Sequence, residues 1–326
     1  MTVPGPFFIG GTGRSGTTHL RDVLGQHPAV YGVPDETHFL IDPGGLEDLA
    51  RALTVAYTPS HGDDALRRFD RLMRVTLAGQ SGTGSRRRNL PSLLGASRYW
   101  AALDRLREQL AWYTFGYTFD EGAADDGRMV LLSPDEMTTY RRVVPRYFDD
   151  RPTLIAILRG FVEELFGGAA AAQGKPTWAE KTPFNVLSAP FLWELFPEAT
   201  VVHIIRHPVS VVASLLHQTW APSELWQVVA WLSPVYQRWF RIRDALDLQH
   251  TRLVEVRLED LAEDWPRQRR LLFEALGLDD VETSVGFERP AVHHRDTQLS
   301  TEQRALVVGE LGWAIERLGY DPEPAT

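Results

Sequence analysis

A glycine-rich turn joins an apolar run to a helix-forming stretch in Phe7-Phe8-Ile9-Gly10-Gly11-Thr12-Gly13-Arg14-Ser15-Gly16-Thr17-Thr18. Such a turn can cradle an anion. Glycines let successive backbone N–H groups converge on one point, and the positive end of the helix dipole faces the same point. Gly11 and Gly16 have the separation of a nucleotide-triphosphate P-loop, and Thr18 stands where its Ser/Thr belongs. The lysine that should follow Gly16 is Thr17, however, and the positive charge sits earlier, at Arg14. A P-loop NTPase uses that lysine on the β- and γ-phosphates and the hydroxyl on magnesium. The loop therefore points to an anion other than magnesium-bound ATP, with Gly13, Arg14, Ser15, Gly16, Thr17 and Thr18 as its candidate contacts.

Three further groups carry chemistry. Trp178-Ala179-Glu180-Lys181-Thr182-Pro183 places Lys181 at a strand end, where ligands collect in open α/β sheets. A lysine there can steady developing negative charge; read alone, it is a surface lysine paired with Glu180. Thr200 to Pro208 puts Arg206 at the end of a strand apolar enough to be buried, with Ser214 eight residues on, in the next helix. A guanidinium and a hydroxyl so arranged suit a terminal phosphate, and the plainer alternative is that Arg206 caps local structure. Pro34 to Asp42 sets Glu36, His38 and Asp42 directly after a second strand. A carboxylate near a substrate hydroxyl can act as general base, whereas in isolation Glu36 is a surface or cap residue.

The elements that must position these groups alternate as strand and helix. Strands are expected at Pro6–Gly10, Val30–Val33, Thr177–Ala179, Thr200–Ile205 and Arg252–Val256. Helices are expected at Thr17–Gln26, Asn185–Phe196, Pro208–Gln218, Ser223–Leu246, Glu263–Leu276 and Thr301–Leu318. This alternation predicts an α/β fold with a P-loop-like central parallel sheet flanked by helices. Between them the pattern turns helical, at Leu46–Val55, Asp64–Leu77, Tyr99–Ala111 and Leu154–Phe166. The expected organisation is one domain over 1–326, with a core of 1–43 and 175–326 and a largely helical insertion at about 44–174. A basic loop at Gln80–Asn89 is either a solvated surface loop or a lid. Tyr99, Trp100, Trp112, Tyr113, Phe115, Tyr117 and Phe119 cluster in the insertion, and Trp220, Trp226, Trp231 and Trp239 mark the long helix. Core packing is the simpler reading of both; an aromatic-walled acceptor pocket is the alternative. His293-His294-Arg295 is a possible late contact.

Composition sets the bounds. The 326 residues include no cysteine, which excludes disulfides, thiolate metal sites and cysteine nucleophiles. A net charge of −9 argues against nucleic acid as a partner, so an anionic ligand needs cations supplied locally. No apolar run approaches the roughly 20 residues of a membrane span, and a strand starting near Pro6 leaves no room for a signal peptide. A cytoplasmic location is the expectation.

Taken together and in this order, the four groups resemble the sulfotransferases that use 3′-phosphoadenosine 5′-phosphosulfate (PAPS), within the branch of bacterial, heparan-type and tyrosylprotein members. Arg14-Ser15-Gly16-Thr17-Thr18 resembles the 5′-phosphosulfate loop, Arg206 through Ser214 the 3′-phosphate motif, and Glu36-Thr37-His38-Phe39 with Asp42 the stretch that holds the base. Glu180-Lys181-Thr182-Pro183 matches a motif of the branch. Three positions depart from the pattern. His19 stands where cytosolic members often carry tryptophan, Leu258 where many carry tyrosine, and Asp35 where heparan-type members tend to have lysine. The resemblance implies PAPS as sulfonate donor, 3′,5′-diphosphoadenosine (PAP) as product and no metal. Glu36, Lys181 and Arg14 would be catalytic, with His38 and Asp42 toward the substrate. The acceptor implied is a hydroxyl of a small molecule, glycan or lipid-like compound. A P-loop kinase using ATP and magnesium and a non-catalytic nucleotide-binding protein stay open as alternatives.

Overall fold

The computed structural model describes residues 4–79, 89–119, 138–247, 251–288 and 299–321, without the side chains of 116–119 and 138–141. In chain order the elements are β1 (Phe7–Gly10), α1 (Thr17–Gln26), β2 (Val30–Gly32), α2 (Leu46–Ala52), α3 (Pro59–Arg71), α4 (Leu90–Leu94), α5 (Ala96–Leu110), β3 (Ala111–Phe119) and β4 (Thr138–Pro145). There follow α6 (Arg151–Val162), α7 (Gly168–Ala171), β5 (Thr177–Lys181), α8 (Ala189–Leu195), β6 (Thr200–Ile205), α9 (Pro208–Leu215), α10 (Leu225–Asp244), β7 (Arg252–Arg257), α11 (Leu258–Glu263), α12 (Trp265–Ala275) and α13 (Thr301–Arg317). They form two compact units, residues 1–37 with 166–326, and residues 38–165.

The first unit is built on a five-stranded sheet in the order β2-β5-β1-β6-β7, every pairing parallel. Its central strands are buried along their whole length, as strands covered on both faces must be. Side chains alternate between the faces. Phe7 and Ile9 join Leu20, Val23 and Leu24 of α1 and Leu272 and Phe273 of α12 in one core. Phe8 turns the other way, edge-on to Trp178 at 5.4 Å, and Trp178 in turn meets Phe166 and Phe196. Helix α1 stops at His27, whose extended backbone precedes Pro28. Beyond that stop Lys175 donates from Nζ to the carbonyls of Gly25, His27 and Val30 at 2.8, 3.1 and 2.7 Å. One cation thus ties the end of α1 to the start of β2.

The second unit departs from the helical expectation. Helices α2, α3, α5 and α6 are there, but β3 and β4 pair as a two-stranded antiparallel ribbon. Residues 111–119 carry aromatic, threonine and glycine residues suited to a pleated strand, a pattern that the expectation of a largely helical insertion passes over. Trp112, Tyr113 and Phe115 of the ribbon are not core either, since all three are exposed. Among the described side chains of that cluster Tyr99 of α5 is the buried one, donating from its hydroxyl to the Met73 carbonyl. In the first unit Trp239 is buried as expected, while Trp220, Trp226 and Trp231 are exposed. The basic segment 80–88 and His293-His294-Arg295 lie outside the described residues.

Lys175 generates a stability prediction. Lys175→Met leaves three carbonyls without their shared donor and lowers the unfolding free energy by about 1–3 kcal/mol, read from urea denaturation. An unchanged midpoint would show that water serves those carbonyls equally well.

Candidate active site

Neighbouring parallel strands deliver their carboxyl ends to one edge of the sheet, the edge where open α/β sheets bind ligands. Here β5 ends in Lys181, β1 runs into the glycine-rich loop, and β6 runs into Arg206. Residues distant in sequence therefore meet through the strand order. Ile9 pairs with Lys181 on one side and with Val202 on the other.

The loop is wound by left-handed residues, Gly13 at φ 76°, Arg14 at φ 56° and Gly16 at φ 91°. Arginine is not at ease in that region, and what holds it is visible. Arg14 Nε donates to Ser214 Oγ on α9 at 3.1 Å, and Arg206 Nη1 donates to the Arg14 carbonyl at 3.1 Å. Two guanidinium groups and a hydroxyl are thereby gathered beside the start of α1. Two glycines are dictated by close packing. A Cβ on Gly11 would lie 2.6 Å from the Ile204 carbonyl oxygen, and one on Gly16 would lie 2.8 Å from Leu258. Ser15 is buried and turns its hydroxyl back to the Gly13 carbonyl, so it braces the loop from within. Helix α1 has no side-chain cap and no acidic residue in its first turn, which leaves its positive end available to an anion.

A cleft of about 630 Å³ opens in front of this loop. Arg14, Thr17, Thr18 and Arg206 line its charged side, and Leu258 with the strap 284–288 lines the other. Helix α1 also holds that strap. His19 Nε2 donates to the Gly286 carbonyl at 2.6 Å, and Gln26 Oε1 accepts from the Ser284 and Val285 amides at 2.7 and 3.3 Å. Phe287 stands edge-on to His19, with ring centres 4.5 Å apart, and packs against Trp265. The strap was not anticipated from sequence. Its segment has no periodic pattern, and its anchors lie more than 250 residues away.

Glu36 and Lys181 form an ion pair at 2.5 Å. Lys181 is buried, with 3% of its side chain exposed, against 28% for Glu36. The plainer reading of Lys181, a surface lysine paired with Glu180, does not hold, since Lys181 is buried and adjacent residues of β5 point to opposite faces. Glu180 is wholly buried among Thr37, Thr182 and Asn185. Burial pushes its carboxyl above the usual range, against the hydrogen bonds it accepts. Arg206 is also framed from behind. Glu259 accepts from the His207 amide at 3.0 Å and from the Tyr320 hydroxyl at 2.6 Å, and Tyr320 stacks edge-on to His207. His38 and Asp42 belong to the second unit, where Asp42 bonds His38 Nδ1. Among the described residues no group of three or more His, Asp or Glu side chains is placed to hold a metal ion, and no helix is long and apolar enough to cross a membrane.

With this geometry in hand, the comparison with protein families is decisive, because a model of the sulfotransferase family matches residues 6–282. The chain belongs to the sulfotransferase family. The match runs from β1 through the anion loop, Lys181 and Arg206 to α12. Two curated relatives, from Mycobacterium bovis and Mycobacterium tuberculosis, are each named omega-hydroxy-beta-dihydromenaquinone-9 sulfotransferase Stf3 and are 34% identical over the matched stretch. That stretch covers 44% of this chain, and the chain spans 42% of the relatives' length. Among solved structures, the sulfotransferase domain of the Synechococcus PCC 7002 olefin synthase superposes with a TM-score of 0.54 at 18% identity, over 99% of this chain and 98% of that one. The sulfotransferase domain of the curacin biosynthetic pathway gives 0.51 at 13% identity, over 98% and 99%. Both share the fold, a P-loop-like parallel sheet flanked by helices.

Gln26 yields the test of the strap. Gln26→Ala removes the acceptor shared by Ser284 and Val285, and amide hydrogen exchange at these two positions should accelerate at least tenfold over wild type. Unaltered protection there would mean that the strap is held by other contacts.

Proposed function

We propose that this protein transfers the sulfonate of PAPS to an acceptor hydroxyl, within a single sulfotransferase domain. The observation that carries the reading is the Glu36–Lys181 ion pair at the same sheet edge as Arg14, Arg206 and Ser214. A carboxylate that could take a proton stands beside a cation that could stabilise developing charge, at the sheet edge that also bears a charged cleft of small-molecule size lined by Arg14 and Arg206. The donor set fits the ligand: an uncapped helix start and two guanidinium groups offer fixed positive charge in a chain whose net charge is −9.

In this reading the loop amides, Arg14 and the hydroxyls of Thr17 and Thr18 hold the 5′-phosphosulfate, with Gly13, Ser15 and Gly16 shaping the turn. Arg206 and Ser214 hold the 3′-phosphate, Ser214 through a hydroxyl already in contact with Arg14. The aromatic and apolar wall of Leu258, Phe287 and His19 takes the base. The acceptor oxygen forms its bond to sulfur as the bond between sulfur and the bridging oxygen breaks. The electron pair leaves on the 5′-phosphate of PAP, and the acceptor proton passes to Glu36. Lys181 and Arg14 stabilise charge on the sulfonyl and bridging oxygens. Fixed cations do this work without a metal ion. His38 and Asp42 are proposed on the acceptor side. The named acceptor of the mycobacterial relatives is a hydroxylated menaquinone, so a lipid-like alcohol stands beside glycans and small molecules as an acceptor class.

Labelled PAPS, offered with 4-nitrophenol, octyl glucoside and farnesol, tests transfer and sorts the acceptor classes. With the best of these, Glu36→Gln lowers kcat by about 10²–10⁴-fold and leaves PAP affinity intact. Equal loss of both removes Glu36 as the base. Arg206→Ala weakens PAP binding in calorimetry by roughly 10- to 100-fold, as loss of a charged hydrogen-bond donor predicts. Unchanged affinity takes Arg206 out of the site.

A further inference from the structure

Glu180 is the buried titratable group that the proposed chemistry does not use. It sits on β5 next to Lys181, wholly removed from solvent, and no cation contacts it among the described residues. A buried carboxylate without a counter-ion is costly unless its oxygens are filled by donors. Here they are. Oε1 accepts from Thr37 Oγ1 at 2.9 Å, from the Thr37 amide at 3.4 Å and from Thr182 Oγ1 at 2.8 Å. Oε2 accepts from Asn185 Nδ2 at 2.7 Å.

The owners of those donors explain the expense. Thr37 follows Glu36, and Thr182 follows Lys181. Asn185 donates its second amide hydrogen to the Ile9 carbonyl at 3.1 Å, one residue before the glycine-rich run begins. The Pro183 carbonyl, in the same turn as Asn185, accepts from the Gly11 amide at 2.6 Å. One carboxylate is therefore bonded to the neighbours of both members of the ion pair and, through Asn185, to the root of the anion loop. Alternation along β5 makes this possible, since Lys181 engages Glu36 on one face while Glu180 engages Thr37 on the other.

We propose that Glu180 is a positioning residue for sulfonate transfer, which sets Glu36 against Lys181 by clamping Thr37, Thr182 and Asn185 behind them. This rests on Glu36 being the base. Glu180 touches no reacting atom; its effect is on the geometry of the groups that do. Misplacement of reacting groups by about 1 Å can cost on the order of 100-fold in rate. A loosened clamp therefore lowers kcat without touching the phosphate contacts of Arg14, Arg206 and Ser214.

The test compares Glu180→Gln, Thr37→Val, Thr37→Ser and Glu36→Gln with wild type. Turnover is measured with labelled PAPS and the acceptor panel above, and PAP affinity by calorimetry. Glu180→Gln sets an amide N–H against a ring of donors, and Thr37→Val deletes the hydroxyl that Oε1 accepts from. Each should lower kcat roughly 10- to 100-fold with PAP affinity within about twofold of wild type, and Thr37→Ser should restore activity. In the Glu36→Gln background, adding Glu180→Gln should cost nothing more, because coupled groups do not act additively. Wild-type kcat in Glu180→Gln or Thr37→Val overturns the proposal. So does parallel loss of kcat and PAP affinity, which marks a merely structural role. If Glu180→Gln does not fold, the two Thr37 variants decide alone. Full turnover in Glu36→Gln would instead sink the assignment of the base, a distinct result.

Discussion

Parallel pairing of β5, β1 and β6 is the constraint on which the rest of the site depends. A parallel sheet sends all its carboxyl ends the same way, so β1 arrives at one edge with β5 and β6, which lie more than 160 residues further along the chain. The register then fixes the details. With Ile9 level with Lys181 and with Val202, the turn after β1 stands between a lysine and an arginine. No long-range attraction among these cations is needed to bring them together. Their mutual repulsion is opposed by the buried strands beneath them, Phe7 to Ile9, Thr177 to Lys181 and Thr200 to Ile205. A protein of net charge −9 can thus offer a local concentration of positive charge to an anion.

Behind that edge the polar groups divide into two layers. The front layer faces the cleft: Arg14, Arg206 and the first turn of α1. The back layer is buried or tied off: Glu180 with Thr37, Thr182 and Asn185 on one side, and Glu259 with Tyr320 and His207 on the other. Each back-layer carboxylate is bonded to the residue beside a cation of this edge, Thr182 beside Lys181 and His207 beside Arg206. Preorganised donors are worth more than mobile ones where charge develops, because they need no reorganisation during the reaction. The two buffered turns supply that rigidity in the proposed chemistry.

Much of this was legible in sequence because it is local. The glycine-rich loop, Lys181 and Arg206 lie at the ends of short apolar runs, Ser214 follows Arg206 by eight residues, and strand ends in an alternating α/β pattern share an edge. The proline-marked boundaries were legible too, at His27-Pro28 and His207-Pro208. What sequence could not supply was the partner of each charge. Lys181 reads as paired with Glu180 until the alternation of β5 is combined with the path of residues 36–37. Tyr320 and Gln26 meet their targets across more than 60 and more than 250 residues, with no local pattern to announce them. The ribbon of β3 and β4 was missed for another reason. It lies in an insertion that reads as largely helical, although Tyr113, Phe115, Tyr117 and Phe119 follow a period of 2. Three of the exposed tryptophans, at 220, 226 and 231, warn that aromatic spacing alone does not establish a core.

In the proposed function the edge of β5, β1 and β6 holds a 3′-phosphorylated nucleotide by fixed protein cations without a metal. Thermal unfolding with PAP, with adenosine 5′-diphosphate and with ATP, each in magnesium and in chelator, tests it most directly. The melting temperature should rise with PAP equally in magnesium and in chelator, and the rise should grow with ligand concentration as linked binding requires. Adenosine 5′-diphosphate, which lacks the 3′-phosphate, should stabilise much less. Stabilisation by ATP with magnesium alone, and none by PAP, would mean that this edge is not a metal-free 3′-phosphonucleotide site.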